Sequence, residues 1–90
     1  MAHTLLLYEY VEDILDRRGP YRDAHLAHLR ALADAGTVLM AGALGDPVTG
    51  AAIIFAPCSP EEVAEQVVRD PYYAAGLIRD WQALPWTVVT

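Results

Sequence analysis

Apolar and polar positions in the first half of the chain follow two periods, one typical of strands and one typical of helices. Residues 3–10 form a short apolar run bounded by acidic residues, which predicts a first strand. Residues 21–35 place apolar side chains at the spacing of one helical face, and Gly36 follows where a left-handed C-cap is expected. The charged link between them, residues 11–18, has room for one helical turn.

The second half of the chain starts with a hairpin and then a second helix. Residues 37–43 and 51–56 are rich in small and branched side chains, and they predict two antiparallel strands joined by a turn-rich loop. Ser59 can cap the helix that follows, with Pro60 at its first position and Glu62 completing a capping box. We expect this helix to end near residue 69.

Asp70 and Pro71 repeat the logic of a helix start, because Asp70 can cap a short turn that Gly76 closes. Residues 77–89 then predict the last strand, which we expect to be bent or bulged near Pro85. The resulting order is β-α-β-β-α-β. It predicts an α+β, ferredoxin-like fold over residues 1–90 as a single domain, with two helices on one face of a four-stranded antiparallel sheet.

Composition limits the partners of this domain. Hydrophobic residues make up 54% of the chain, and the opposite face of such a sheet is bare, so we expect a homodimer that buries it. The net charge is −6 and every cation is arginine, which excludes the clustered positive charge that nucleic acids and anionic membranes require. The single cysteine, Cys58, and the lack of a signal-like N-terminus fit the cytoplasm.

A candidate site combines the first helix with the Asp-Pro turn. His25 lies on the helix face that also carries Leu29, so its ring is expected to be partly buried and in need of a hydrogen bond. Arg22 lies one turn earlier on the same face, where it could hold an anion. Asp70, already a cap, could use its second oxygen to orient His25. That pair would suit general acid/base catalysis, whereas a purely structural histidine and a simple cap remain the alternatives.

Two further residues are candidates for substrate contact. His28 lies about 60° around the helix from His25, at the edge of the same face. Tyr72 could form the wall of a pocket for a ring-shaped substrate, although a core position is the alternative. We expect no metal, because no acid or cysteine completes a ligand set with the two histidines. The glycines match no phosphate-binding loop, so no cofactor is expected.

An ordered set of short motifs over nearly the whole chain resembles the YciI-like (YCII-related) family of small bacterial proteins. The motifs are, in chain order, Arg22-x-x-His25-Leu26, Gly36, Ala41-Gly42, Ser59-Pro60-Glu61-Glu62, Asp70-Pro71-Tyr72, Ala75-Gly76-Leu77 and Pro85-Trp86. The resemblance implies a ferredoxin-like fold of the dimeric α/β-barrel type, in which two sheets pack face to face in a homodimer.

The resemblance also implies a His–Asp pair in a cleft, which falls on His25 and Asp70. Some relatives in this superfamily are isomerases, dehydrochlorinases or monooxygenases that act on ring compounds and lactones. The second strand departs from the family pattern, since it reads Ala-Gly-Ala-Leu over residues 41–44 where relatives often have Gly-Pro after this glycine. The local strand exit and the pocket rim are therefore the places where this chain can differ.

Two hypotheses follow for function. The first is a small cofactor-independent enzyme of the lyase or isomerase type. In it His25 and Asp70 move a proton on a small, anionic, ring-shaped substrate that Arg22, Tyr72 and His28 contact. The alternative is a non-catalytic dimeric module that binds a metabolite or a protein and keeps the His–Asp pair as a buried polar anchor.

Overall fold

The computed structural model describes residues 2–90. Its elements are, in chain order, β1 (His3–Tyr10), α1 (Ile14–Arg17), α2 (Gly19–Asp34), β2 (Val38–Leu44), β3 (Gly50–Phe55), α3 (Pro60–Arg69), α4 (Pro71–Ala74) and β4 (Ile78–Trp86). This is the predicted β-α-β-β-α-β order. The short helices α1 and α4 occupy the two places where the sequence indicated a helical turn.

The four strands form one sheet in the order β2-β3-β1-β4, and every neighbouring pair is antiparallel. This topology confirms the ferredoxin-like prediction. The side chains that β1 and β3 direct towards the helices form the centre of the core, and α3 and the segment before β4 pack against them. The central buried residues are Leu6, Tyr8, Ile53, Phe55, Val63, Val67 and Leu77.

The other face of the sheet is covered by no element within residues 2–90. Alternation along β1 directs Leu5 and Leu7 to this face, because Leu6 between them is buried on the helix side. Register places Met40 and Leu84 there too, opposite Ile54 and Leu5 respectively. Met40 is 68% exposed and Leu84 is 41% exposed, so this face presents apolar side chains to solvent.

The predicted caps are present. Gly36 has a φ of +78°, in the left-handed region that a helix C-cap needs and that glycine adopts without strain. The Ser59 hydroxyl accepts a hydrogen bond of 3.2 Å from the backbone N–H of Glu62. Helix α2 begins at Gly19, two positions before the predicted start, because Pro20 fits its first turn.

Close pairing of β1 and β3 near Tyr8 requires a glycine. At Gly50, which pairs with Glu9, a Cβ atom would lie only 2.1 Å from the carbonyl oxygen of Tyr8. Any side chain would push β3 away from β1 at this point. Gly50 therefore allows the close approach of the two central strands beside the buried tyrosines.

Of the bend or bulge predicted near Pro85, the bulge is wrong. Pairing of β1 with β4 is regular from His3 and Trp86 up to Glu9, and the register shifts only between Glu9 and Tyr10. The reason is that β4 is an edge strand, where a proline without an N–H does not interrupt a ladder. Strand β4 is also shorter at both ends than the predicted 77–89. No helix in residues 2–90 has the length and apolar character needed to cross a membrane.

Candidate active site

Asp70 connects α3 to α4 and is completely buried. Its Oδ1 atom accepts a hydrogen bond of 3.0 Å from the backbone N–H of Tyr72, which makes it the predicted cap of α4. Proline at the next position has no N–H to satisfy and fixes the first turn. The sequence Asp-Pro therefore holds one carboxylate in a defined position on the helix side of the sheet.

The Asp70 carboxylate accepts two further hydrogen bonds from side chains. His25 donates from Nδ1 to Oδ1 over 2.8 Å, and the Tyr8 hydroxyl donates to Oδ2 over 3.1 Å. A buried charge is tolerated only when hydrogen bonds replace the water that it has lost. These donors from β1, α2 and α4 supply that replacement, so three elements of the fold meet at one carboxylate.

The His25 ring is held in both position and plane. The residue is 6% exposed, and its ring stacks on Tyr72 with centroids 3.8 Å apart and an angle of 2° between the planes. A carboxylate only accepts hydrogen bonds, so Nδ1 carries the proton and Nε2 carries the lone pair in the neutral ring. Within residues 2–90, every buried side-chain nitrogen or oxygen has a hydrogen-bond partner. Nε2 of His25 has no such partner, so this atom is not buried and is open to a ligand.

Nε2 opens towards a cavity of about 260 Å³ between α2 and the β2–β3 half of the sheet. Its floor is formed by residues with small side chains on β2 and β3, and this explains why α2 leaves space above them. The lining residues are Tyr10, Arg18, Arg22, His25, Leu26, Leu29, Ala41, Gly42, Ala43, Val48, Ala51, Ile53 and Tyr72. The cavity is small beside typical drug-sized sites of roughly 300–1,000 Å³, so it suits a molecule of about one ring.

Two arginines line this cavity, Arg18 and the predicted Arg22. Burial raises the pKa of the Tyr72 phenol, while the positive charges of Arg18 and Arg22 lower it and Asp70 raises it. The cations thus act on the aromatic ring that stacks on His25. Sequence reasoning missed Arg18, although its spacing of four from Arg22 and seven from His25 marks the same helix face.

A comparison with protein families matches the YCII-related domain over residues 1–87. The chain belongs to the YCII-related family. This confirms the resemblance that the ordered motifs indicated. No curated protein matches the chain at a significant level.

Among solved structures, this YCII-related protein is similar to 5-chloro-2-hydroxyhydroquinone dehydrochlorinase (TftG) from Burkholderia phenoliruptrix AC1100, in a complex with 2,5-dihydroxybenzoquinone. The sequences are 26% identical, and the match covers 94% of this chain and 93% of that one. The TM-score is 0.80, so the two chains share their fold almost from end to end.

The YCII-related chain does not bring every predicted site residue to the cavity. His25, Tyr72 and Arg22 line it, and Asp70 lies buried behind His25, to which it is hydrogen-bonded; His28 is not among the lining residues. Its Nε2 instead bonds the backbone carbonyl of Gln66 on α3, over 3.1 Å. The 60° rotation that sets it apart from His25 turns its ring towards the second helix, where it links α2 to α3.

Other reactive groups of this YCII-related protein lie apart from the cavity. Cys58 is half-buried and outside the lining, and burial followed by the charge of Glu62 raises the pKa of its thiol. A raised thiol pKa disfavours the nucleophilic thiolate. Within residues 2–90, no group of three histidine, cysteine or acidic side chains is arranged to hold a metal ion.

Proposed function

We propose that this chain is a small enzyme of the lyase or isomerase type, in which His25 moves a proton on a small anionic substrate. One observation carries the proposal. The only ring nitrogen of His25 that is not committed to Asp70 faces a cavity whose other charged groups are arginines. A base beside fixed positive charge is the arrangement that proton abstraction next to an oxyanion needs.

In the proposed reaction, Nε2 of His25 takes a proton from the substrate, and the ring becomes an imidazolium. The Asp70 carboxylate stabilises that cation through the hydrogen bond to Nδ1, as the acid of a catalytic triad does. In an isomerase the proton returns to a different atom of the substrate. In a lyase the released electron pair expels a leaving group. Arg22 holds the negative charge of the substrate, and stacking on Tyr72 keeps the imidazole in its plane.

The similarity to TftG suggests the first substrates to try. That protein is a dehydrochlorinase of a chlorinated hydroxyhydroquinone, and its complex contains a dihydroxybenzoquinone. Such ring compounds carry acidic hydroxyl groups and fit the size of the cavity. We propose hydroxylated six-membered rings as the substrate class for this chain.

We also propose a homodimer that buries the bare face of the sheet. The support is the exposure of Met40, Leu84 and Trp86 on that face, since apolar side chains at neighbouring positions of a sheet mark an interaction surface. This face lies on the opposite side of the sheet from the cavity floor. The two proposals therefore do not compete for the same surface.

The experiment that tests the function compares turnover of the wild type with that of His25→Gln and Asp70→Asn. Chloride release from 5-chloro-2-hydroxyhydroquinone and exchange of carbon-bound hydrogen in D₂O with related ring acids are the two assays. We expect each variant to lose about 10²–10⁴-fold in rate, the usual contribution of a positioned acid/base group. All rates are measured below the melting temperature of every variant.

His28→Gln is the matched control, because its ring bonds a backbone carbonyl and does not line the cavity. It is expected to keep the wild-type rate. If His25→Gln turns over these ring compounds as fast as the wild type does, the catalytic role of His25 is contradicted. A melting temperature lowered by His25→Gln, with no turnover in any variant, would favour the binding-module alternative.

A further inference from the structure

Arg18 and Arg22 are the two arginines of this acidic chain that line the cavity. Arg17, Arg69 and Arg79 each form an ion pair with an acidic side chain, whereas Arg18, Arg22 and Arg30 form none within residues 2–90. Within residues 2–90, no carboxylate lies within 4.0 Å of the charged nitrogens of Arg18 or Arg22, although the chain carries a net charge of −6. The two cations that line the cavity are therefore left without an internal counter-charge.

Their spacing also makes the two positive charges repel each other. Residues four apart on a helix face each other, and like charges at that spacing repel. Arg18 immediately precedes α2 and Arg22 follows in its first turn, so both lie at the N-terminal end of that helix, and both line the cavity. An anion between them would relieve the repulsion and replace the missing counter-charge.

The positive charge of Arg18 reaches two phenols of the cavity wall. Burial raises the pKa of Tyr10, as do the charge of Asp70 and the Tyr72 phenol, while Arg18 lowers it. Arg18 also lowers the pKa of Tyr72 against the effect of burial. Its charge thus acts on both phenols that line the cavity.

The other lining residues indicate that the rest of the ligand is apolar. Apart from the two arginines, His25 and the two tyrosines, the lining side chains are aliphatic or absent, with Leu26, Leu29 and Ile53 among them. The cavity therefore combines two cations with apolar contact surface. Guanidinium groups match planar carboxylates in pairs of parallel hydrogen bonds.

We propose that Arg18 and Arg22 together form an anion site, and that the substrate is a ring-shaped organic acid whose carboxylate they hold. This inference rests on the proposed function, because it places the substrate relative to Nε2 of His25. Arg22 is about 4.5 Å and Arg18 about 10.5 Å along the helix axis from His25, from the rise of 1.5 Å per residue. The carboxylate is thus held towards the start of α2, and the reacting ring atom lies beside the imidazole.

The test measures binding of benzoate by NMR titration, with benzamide as the neutral analogue of the same shape and inorganic phosphate as an anion without a ring. The proteins are the wild type, Arg18→Gln, Arg22→Gln and Arg30→Gln. Arg30 is the matched control, since it lies on α2 with no acidic partner within residues 2–90 and does not line the cavity. Arg22 is exposed and Arg18 is partly exposed, so their substitution leaves the core intact.

We expect benzoate to shift the His25 resonances and to bind about tenfold or more weakly to Arg18→Gln and to Arg22→Gln, in line with the strength of charge-assisted hydrogen bonds. Arg30→Gln should bind as the wild type does, and benzamide and phosphate should bind more weakly than benzoate. The proposal is overturned if benzoate gives no saturable shift, if Arg18→Gln binds it as the wild type does, or if phosphate or benzamide binds equally well.

The outcome separates this inference from the proposed function. Benzoate binding that depends on Arg18, together with turnover that His25→Gln leaves intact, would overturn the catalytic role and keep the anion site. Turnover that requires His25, together with benzoate binding that is indifferent to both arginines, would overturn the anion site and keep the catalytic role.

Discussion

The imidazole of His25 and the carboxylate of Asp70 are 45 positions apart in the sequence, yet Nδ1 and Oδ1 lie 2.8 Å apart. Each residue also serves its own element, since His25 packs α2 against Tyr72 and Asp70 caps α4. The contact therefore joins the first helix to the turn before the last strand. It leaves Nε2 as the one ring atom that can act on a ligand.

The hydroxyl of Tyr8 supports this pair from the sheet. Tyr8→Phe removes the donor to Oδ2 of Asp70 and leaves that buried oxygen without a partner. We expect the free energy of unfolding to fall by about 1–3 kcal/mol, the cost of an unsatisfied buried group. Urea denaturation followed by circular dichroism measures this change.

Tyr10→Phe is the matched control for Tyr8→Phe. Its phenol is also in the core, but its hydroxyl has no side-chain hydrogen bond among residues 2–90. We expect a change within about 0.5 kcal/mol, as for substitutions that break no specific contact. Equal losses in the two variants would mean that the Tyr8 hydroxyl does not hold Asp70.

Alkaline pH should destabilise the protein through the same tyrosines. Burial raises the pKa of Tyr8, with the charge of Asp70 raising it further, and burial likewise raises that of Tyr10. Above pH about 10 the unfolded chain loses these protons while the folded chain keeps them. The folded state then binds more protons, so the free energy of unfolding falls as pH rises.

The protonated phenols make their full contribution to the free energy of unfolding below pH about 10, and this contribution is lost as the pH rises towards their folded-state pKa values. Each phenol steepens the fall of the free energy of unfolding with pH by at most about 1.4 kcal/mol per pH unit. The chain has no lysine, so no ammonium group titrates in this window. Urea denaturation between pH about 9 and 11 should give a shallower slope for Tyr8→Phe than for the wild type. Identical slopes would show that Tyr8 does not remain protonated in the fold.

The bare face of the sheet predicts the assembly state. Light scattering coupled to size exclusion should give twice the chain mass of 9.8 kDa. Met40→Glu should give the single chain mass, because a charge would have to be buried against the partner's apolar face. Met40 is 68% exposed in the single chain, so the substitution does not disturb the core.

Val68→Glu is the control for this surface, since Val68 is 53% exposed on α3 in the opposite layer. It should remain a dimer. A monomeric wild type would contradict the proposed interface, and so would a Met40→Glu variant that keeps the dimer mass.

Local signals predicted most of the fold. The cap at Ser59, the left-handed Gly36 and the apolar period of β1 each depend on residues within a few positions, and each is found where the pattern placed it. The bulge near Pro85 was wrong because it depended on whether β4 lies at the edge of the sheet. That is a property of strand order, which no local pattern contains.

The candidate site was predicted in part for the same reason. Helical spacing put Arg22 and His25 on one face, and the Asp-Pro cap explained why Asp70 is fixed. The partner of His28 on α3 depends on how two helices pack, and so does the Tyr8 hydroxyl behind Asp70. Arg18 lay in the charged link before the predicted start of α2, so its place on the same helix face was missed.

The most direct test of the central claim is the tautomer of His25 in the wild type, from long-range ¹H–¹⁵N NMR at a pH where the ring is neutral. The hydrogen bond to Asp70 predicts a proton on Nδ1 and a lone pair on Nε2, which then faces the cavity as a base. A neutral ring that carries its proton on Nε2 would contradict the account, because Asp70 would then not orient His25 and no free base would face the substrate.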